Sequence, residues 1–334
     1  MTMNRRAASA RTLALAMGSL GAALLPTGTA LAQGQKAPAW PDKPIRIVVP
    51  YPPGGSSDII ARAIAQPLSQ ALGQTVIVDN RAGANGNTGA DAVAKATDGH
   101  TLLLCDVGAL AISPSVYPKL PFDPSRDLRG VGMLAYSPHL LVVHPSVPAN
   151  NLAELVALSK RERLNFAVTA IGSAPHLAGV AVEKATGAQW NYIPYKGGSQ
   201  AISDTLAGQT QILMNGMLAT LPQVQSGKLK VLGVSKASRV PLLAQVPTIA
   251  EQGVKGFESG TWQGVMMPAA TPPAVVQKLS AELTRIIRSP EVRERLVAQG
   301  AEVRTMAPAE LGSFFEQERR RWAQVVAQGG VKPE

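Results

Sequence analysis

Ile45-Arg46-Ile47-Val48-Val49-Pro50-Tyr51-Pro52-Pro53-Gly54-Gly55-Ser56-Ser57-Asp58-Ile59-Ile60 reads as a strand, a glycine-bearing loop and the first turn of a helix. Apolar residues on consecutive positions suit a strand covered on both faces. Ser56-Ser57-Asp58 opens an apolar pattern at Ile60, Ile64, Leu68 and Leu72, which Gly73 closes as a C′ residue. Pro67 lies inside this helix and is expected to kink it or shift its start. In the loop from Pro50 to Asp58, glycine lets the backbone approach a ligand, and the free N–H groups of the helix start favour an anion, phosphate or carboxylate. The loop lacks the lysine of a P-loop and the glycine spacing of a dinucleotide fingerprint. An ordinary tight turn with a serine cap is the alternative.

Outward from this stretch, similar short apolar runs recur at Thr75–Val78, Thr101–Leu104, Leu140–Val143, Asn165–Val168, Asn191–Ile193, Gln211–Met214, Val231–Val234 and Gly264–Met267, with helical patterns between them. The alternation defines an α/β protein. A second loop of the same form follows Phe166 to Val168: Thr169-Ala170-Ile171-Gly172-Ser173-Ala174-Pro175-His176-Leu177, then a helix. Ligands of α/β sheets sit beyond the carboxyl ends of strands, so two such helix starts facing one another would clamp a carboxylate from both sides.

Ser173 and His176 also admit a hydrolase reading, as nucleophile and base. The Gly-x-Ser-x-Gly elbow is absent, however, and no third orienting acid is identifiable. Cys105 beside Asp106 ends an apolar run and fits a buried thiol better than a nucleophile. No clustering of His and Cys points to a metal, and no cofactor is implied.

Arg5, Arg6 and Arg11, an apolar run from Leu13 to Leu25 and the triplet Ala30-Leu31-Ala32 have the order of a secretory signal peptide, with cleavage expected after Ala32 and a periplasmic destination. The run is shorter than the ~20 residues of a membrane-spanning helix. Asn4-Arg5-Arg6 resembles a twin-arginine signal, so either export route fits. The single cysteine forbids an internal disulfide, and 46% hydrophobic against 16% charged residues leaves stability to a large apolar core. Three of the +10 charges belong to the signal, leaving +7 on the mature chain. The basic residues are scattered and aromatics are only 4%, which argues against nucleic acid as a partner.

Thr271-Pro272 and Ser289-Pro290 each look like an N-cap followed by proline at the first helical position. Leu311, Phe314, Phe315, Trp322, Val325 and Val326 trace a last helix whose solvent side holds Arg319, Arg320 and Arg321. Linker-like stretches run from Ser113 to Pro124 and from Ser235 to Gly256, and a chain that leaves one lobe, builds a second and returns would cross near Pro138-His139-Leu140 and within the second stretch.

Many short motifs, in order, resemble the periplasmic binding proteins of tripartite tricarboxylate transporters, the Bug family. They include Trp40-Pro41-Asp42-Lys43-Pro44, Val49-Pro50-Tyr51-Pro52-Pro53-Gly54-Gly55, Val78-Asp79-Asn80-Arg81-Ala82-Gly83, Gly172-Ser173-Ala174-Pro175-His176-Leu177, Ile193-Pro194-Tyr195-Lys196-Gly197-Gly198 and Val246-Pro247-Thr248-Ile249. The resemblance implies a two-lobed, type II-like Venus flytrap, each lobe a mixed sheet flanked by helices, with lobe 1 at 40–138 plus 250–334 and lobe 2 at 139–249. It implies capture of a small organic acid, such as a di- or tricarboxylate, an aromatic carboxylate or an acidic amino acid, by a monomer that delivers it to a membrane permease. A periplasmic sensor presenting its closed form to a receptor would need the same clamp.

Carried over by position, one wall comprises Tyr51, Gly54, Gly55, Ser56, Ser57 and Asp58, and the other Thr169, Ala170, Gly172, Ser173 and His176. Tyr195, Lys196, Gly197 and Asn215 line the cleft. The chain departs from the family pattern at Cys105-Asp106-Val107-Gly108-Ala109, where relatives carry a small neutral loop, and at Leu213-Met214-Asn215-Gly216, where relatives carry an aspartate and an aromatic ring. Asp106 and Val107 therefore join the candidate site, and Asp106 would disfavour a second carboxylate or hold a ligand amine or hydroxyl.

Overall fold

The computed structural model describes residues 40–331, so the expected signal peptide at 1–32 lies outside the described residues. β1 (Ile45–Val49) leads through the glycine loop into α1 (Ser56–Leu72), followed by β2 (Val76–Asn80), α2 (Asn87–Ala94) and β3 (Thr101–Asp106). A π-helical stretch, Gly108–Ile112, runs into the short α3 (Ser113–Val116), so the stretch expected as a linker begins as helix. Then come β4 (Leu128–Val143), α4 (Leu152–Ser159), β5 (Leu164–Val168), α5 (Ala174–Thr186), β6 (Trp190–Pro194), α6 (Gly198–Leu206), β7 (Ile212–Gly216), α7 (Met217–Gln225) and β8 (Lys230–Val234). The chain closes with β9 (Gly260–Pro268), α8 (Pro273–Arg288), α9 (Pro290–Ala298), β10 (Glu302–Met306) and α10 (Pro308–Gly329).

β4 organises the molecule. Its first part pairs antiparallel with β9 and β10, and β9 continues through β3 to the parallel strands β1 and β2. From His139 onward it pairs instead with β7 and β8, and β7 continues to β5 and β6 in parallel. The change of partners falls between Pro138, opposite Gly260, and His139, opposite Gly216. Proline has no N–H to give a ladder, and Pro138 falls where the strand changes partners.

Each sheet is buried on both faces, because its strands alternate apolar side chains between two cores. In the first lobe Ile45, Ile47 and Val49 pack with Ile60, Ile64 and Leu68 of α1 and Leu279 and Leu283 of α8. Val48, Leu103 and Cys105 point the other way, onto Phe315, Trp322 and Val326 of α10. In the second lobe Leu141, Phe166 and Met214 share a core with Leu155 and Val182, while Leu140, Ala167 and Leu213 face Ile202 and Leu221. Ile249, Val254 and Phe257 also pack in the second lobe, so residues 250–257, which the sequence reading assigned to lobe 1, share the core of lobe 2. The return strand begins at Gly260.

α1 continues through Pro67 to Leu72 and ends, as expected, on Gly73 in the left-handed conformation. Its N-cap is Gly55 rather than a serine. α8 begins one residue later than expected, with Pro272 as N-cap and Pro273 at the first position. Arg319 and Arg321 pair with Glu316 and Glu318 on the surface of α10, the latter also stacking on Trp322.

Candidate functional site

The loop after β1 is held open by a buried carboxylate. Asp58 accepts from the Gly54 N–H at 2.9 Å, from Arg62 Nε at 2.9 Å and from Asn80 Nδ2 at 2.9 Å, and Asn80 also reaches the Tyr51 carbonyl at 3.0 Å. Burial pushes the Asp58 carboxyl up, but the bonds from Arg62, Gly54 and Asn80 outweigh it and hold the group below its ordinary range. Asp58 therefore shapes the loop and faces away from the cleft. Gly54 sits at φ +86°, a region that L side chains avoid. The helix start beyond it has no side-chain cap, and the N–H groups of Ser56, Ser57 and Asp58 take no partner among the described residues.

The loop after β5 is built differently. Ser173 is the N-cap of α5: its hydroxyl donates to the Ala170 carbonyl at 2.7 Å and accepts from the His176 N–H at 3.3 Å. The His176 ring accepts at Nδ1 from the Gly172 N–H at 3.0 Å and stands edge-on to Tyr192, their centroids 4.6 Å apart. Burial lowers its pKa to about 4. Ser173 and His176 are thus bonded through the His176 backbone, and the imidazole braces the loop instead of taking the hydroxyl proton. Cys105 is buried, its thiol pushed well up by desolvation and by Asp106, which removes it as a nucleophile.

The two helix starts meet at a small cavity of ≈ 50 Å³ between the lobes. From the first lobe Tyr51, Gly55, Ser56, Ser57, Asp106 and Val107 line it, and from the second Thr169, Ser173 and Asn215. The lobes touch at its rim. A Cβ on Gly216 would stand 2.7 Å from Ser56 Oγ, one on Gly54 would touch Ser199 Cβ at 3.5 Å, and Gly197 lies against the Pro52 ring. Asn85 Nδ2 reaches the Gly172 carbonyl across the cleft at 3.4 Å.

Other expected residues stand behind the lining or at the rim. Gly54, Asp58, Ala170, Gly172 and His176 hold the loops in shape, as above. Tyr195 donates to Asp204 Oδ2 at 2.7 Å, Lys196 is exposed on the outside, and Gly197 closes the rim. The sequence reading passed over Asn85, His139, Gly198, Gly216 and Thr261, all in the lining. Asn85 had a faint signal, an Asn-Gly pair that marks a tight turn. His139 had none as a site residue, since it sits inside a strand and was marked only as a crossing.

The cavity offers helix N–H groups and the hydroxyls of Ser56, Ser57 and Thr169; among the described residues no Lys or Arg lines it. In the same lining Asp106 accepts at Oδ1 from the Tyr51 hydroxyl at 2.6 Å and the Gly108 N–H at 2.8 Å. Burial raises its pKa, with those two bonds opposing. A cavity between two α/β lobes, with two helix starts beside it, is built to hold a small anionic solute.

The Tripartite tricarboxylate transporter family receptor model matches residues 60–331, and the chain belongs to that family. It is 39% identical over 300 residues to Protein BugT of Bordetella pertussis, covering 89% of this chain and 92% of BugT. Among solved structures it is similar to R. palustris Rpa4515 with adipate, at 33% identity and a TM-score of 0.85, covering 88% of this chain and 100% of that one. It is also similar to MatC (Rpa3494) from Rhodopseudomonas palustris with bound malate, at 30% identity and a TM-score of 0.81, covering 86% and 100%. The matched family is one of receptors, and the chain is a solute-binding protein, not an enzyme.

Proposed function

We propose that this protein is exported, loses its signal peptide after Ala32 and captures a small carboxylate-bearing molecule in the interlobe cavity for delivery to a membrane permease. The observation that carries this reading is the convergence of two helix starts on one cavity: the uncapped N–H groups of Ser56 and Ser57, and the α5 start at Ser173 and Ala174. An anion between them gains partial positive charge from both sides without needing an arginine. The adipate and malate in the two similar structures support a carboxylate. Tyr51, Val107, Thr169 and Asn215 complete the walls, and closure of the lobes onto the ligand is the form the permease reads.

The test is thermal unfolding of the purified mature chain against a panel of small organic acids. A ligand that binds only the folded state adds about 2.7 kcal/mol at ~100 times its dissociation constant. An upward shift with at least one acid is expected, whereas a flat panel at millimolar concentration removes the reading.

A further inference from the structure

Three side chains of the cavity lining present acceptors that no described residue satisfies. Asp106 spends Oδ1 on Tyr51 and Gly108 and keeps Oδ2 unused. His139 is fully buried, bonds Ser259 Oγ through Nδ1 at 2.9 Å and leaves Nε2 buried without a partner. Asn215 is fixed in its orientation: the Thr220 hydroxyl donates to the Gly216 carbonyl at 2.9 Å, so its oxygen accepts from Asn215 Nδ2 at 3.2 Å, which leaves Asn215 Oδ1 without a described donor, beside Gly198 of the lining. Among the described residues neither Lys nor Arg lines the cavity with Asp106, and burial lowers the His139 pKa to about 3.

A carboxylate with no cation beside it and a buried, unpaired imidazole nitrogen are costly unless a donor fills the place. An alkylammonium matches it, with one positive charge and three N–H groups for three acceptors. The His139 ring joins as acceptor when its Nδ1–H donates to Ser259. We propose that Asp106, His139 and Asn215 form an ammonium subsite, so that the ligand class is a zwitterionic amino carboxylate rather than a plain dicarboxylate. This rests on the carboxylate reading above, which places the other end of the ligand at the helix starts.

The test is isothermal titration calorimetry of the mature protein at pH 7 with four probes: aspartate, succinate, β-alanine and n-propylamine. Aspartate is expected to bind at least about tenfold more tightly than succinate, a difference of about 1.4 kcal/mol. In Asp106→Asn, which keeps an Oδ1 for Tyr51 and Gly108, that preference is expected to fall to about twofold or less with the melting temperature near wild type. His139→Phe is expected to narrow the same ratio, a change that loss of packing alone would not produce.

Succinate binding as well as or better than aspartate overturns the subsite and leaves the carboxylate reading standing. n-Propylamine binding as tightly as β-alanine overturns the carboxylate reading instead. Silence from all four probes removes both.

Discussion

Gly54 carries the strain of the first loop, and Gly55 beside it does not. A valine at Gly54 would have to adopt φ near +86° and is expected to destabilise the fold by about 1–3 kcal/mol. Gly55 lies at φ −79°, its nearest neighbour for an added Cβ being the Pro52 carbonyl at 3.8 Å, so Gly55→Ala should leave the urea midpoint unchanged. Equal losses in the two variants would contradict this assignment. The buried imidazoles make a second claim. Burial lowers His176 to about 4 and His139 to about 3, from an ordinary 6.5. Below pH 6.5 the unfolded chain takes up protons that the folded chain refuses. The stability they contribute is complete above about pH 6.5 and lost as the pH falls toward about 4. Asp58, held below its ordinary 3.8, adds a loss at still lower pH, while Asp106, raised by burial, opposes the trend above 3.8. The urea midpoint should therefore drop between about pH 7 and about pH 4.5, and His176→Asn should flatten part of the drop; a midpoint constant over that range would argue against neutral buried rings.

Among the elements, α1 and α10 carry the first lobe. Pro67 withholds a backbone donor within α1 at a half-buried position, yet the helix continues because Leu68 and Ile64 on the same helix are anchored in the core. Pro67→Ala should raise the melting temperature, by up to about 3 kcal/mol of stability if the helix straightens without clash. A lower melting temperature would mean that the bend itself is needed for packing. Most strands were legible from consecutive apolar runs, since both faces of each sheet are covered. β2 departs from that expectation: as an edge strand it leaves Ile77 49% exposed. The first part of β4 was hidden by Gly130, Gly132 and Pro138, and β10 by the charges of Glu302 and Arg304. Those segments are strands because neighbours pair with them, which local propensity does not record.

For the whole molecule the decisive place is where the chain crosses between lobes. The His139 N–H donates to Ser235 Oγ at 2.7 Å and to the Ser259 carbonyl at 3.3 Å, the Ser235 N–H to the His139 carbonyl at 3.0 Å, and the Ser259 N–H to the Ser235 carbonyl at 2.9 Å. The Ser235 hydroxyl also bonds the Ser259 carbonyl. Three segments far apart in sequence are thus locked side by side under the cavity. Ser235→Ala removes the hydroxyl from this network and should cost about 1–3 kcal/mol while making the lobes easier to open. Small-angle scattering would register the opening as a larger radius of gyration than wild type, and an unchanged radius with unchanged stability would sink the idea.

The sequence by itself determined the α/β class, the strand-to-helix loops that present backbone N–H groups, and, through ordered motifs, the family. Each of those is a local pattern of apolar spacing, glycine and capping residues, and local patterns are written in consecutive positions. Only the tertiary structure decided which residues of those loops line the cavity and which brace it, as with Asp58 and His176. It alone brought His139 out of the middle of a strand to stand with Asp106 and Asn215. The reason is that a cavity belongs to no segment: it is the space left where two sheets sharing β4 close on each other, and its walls are chosen by long-range packing.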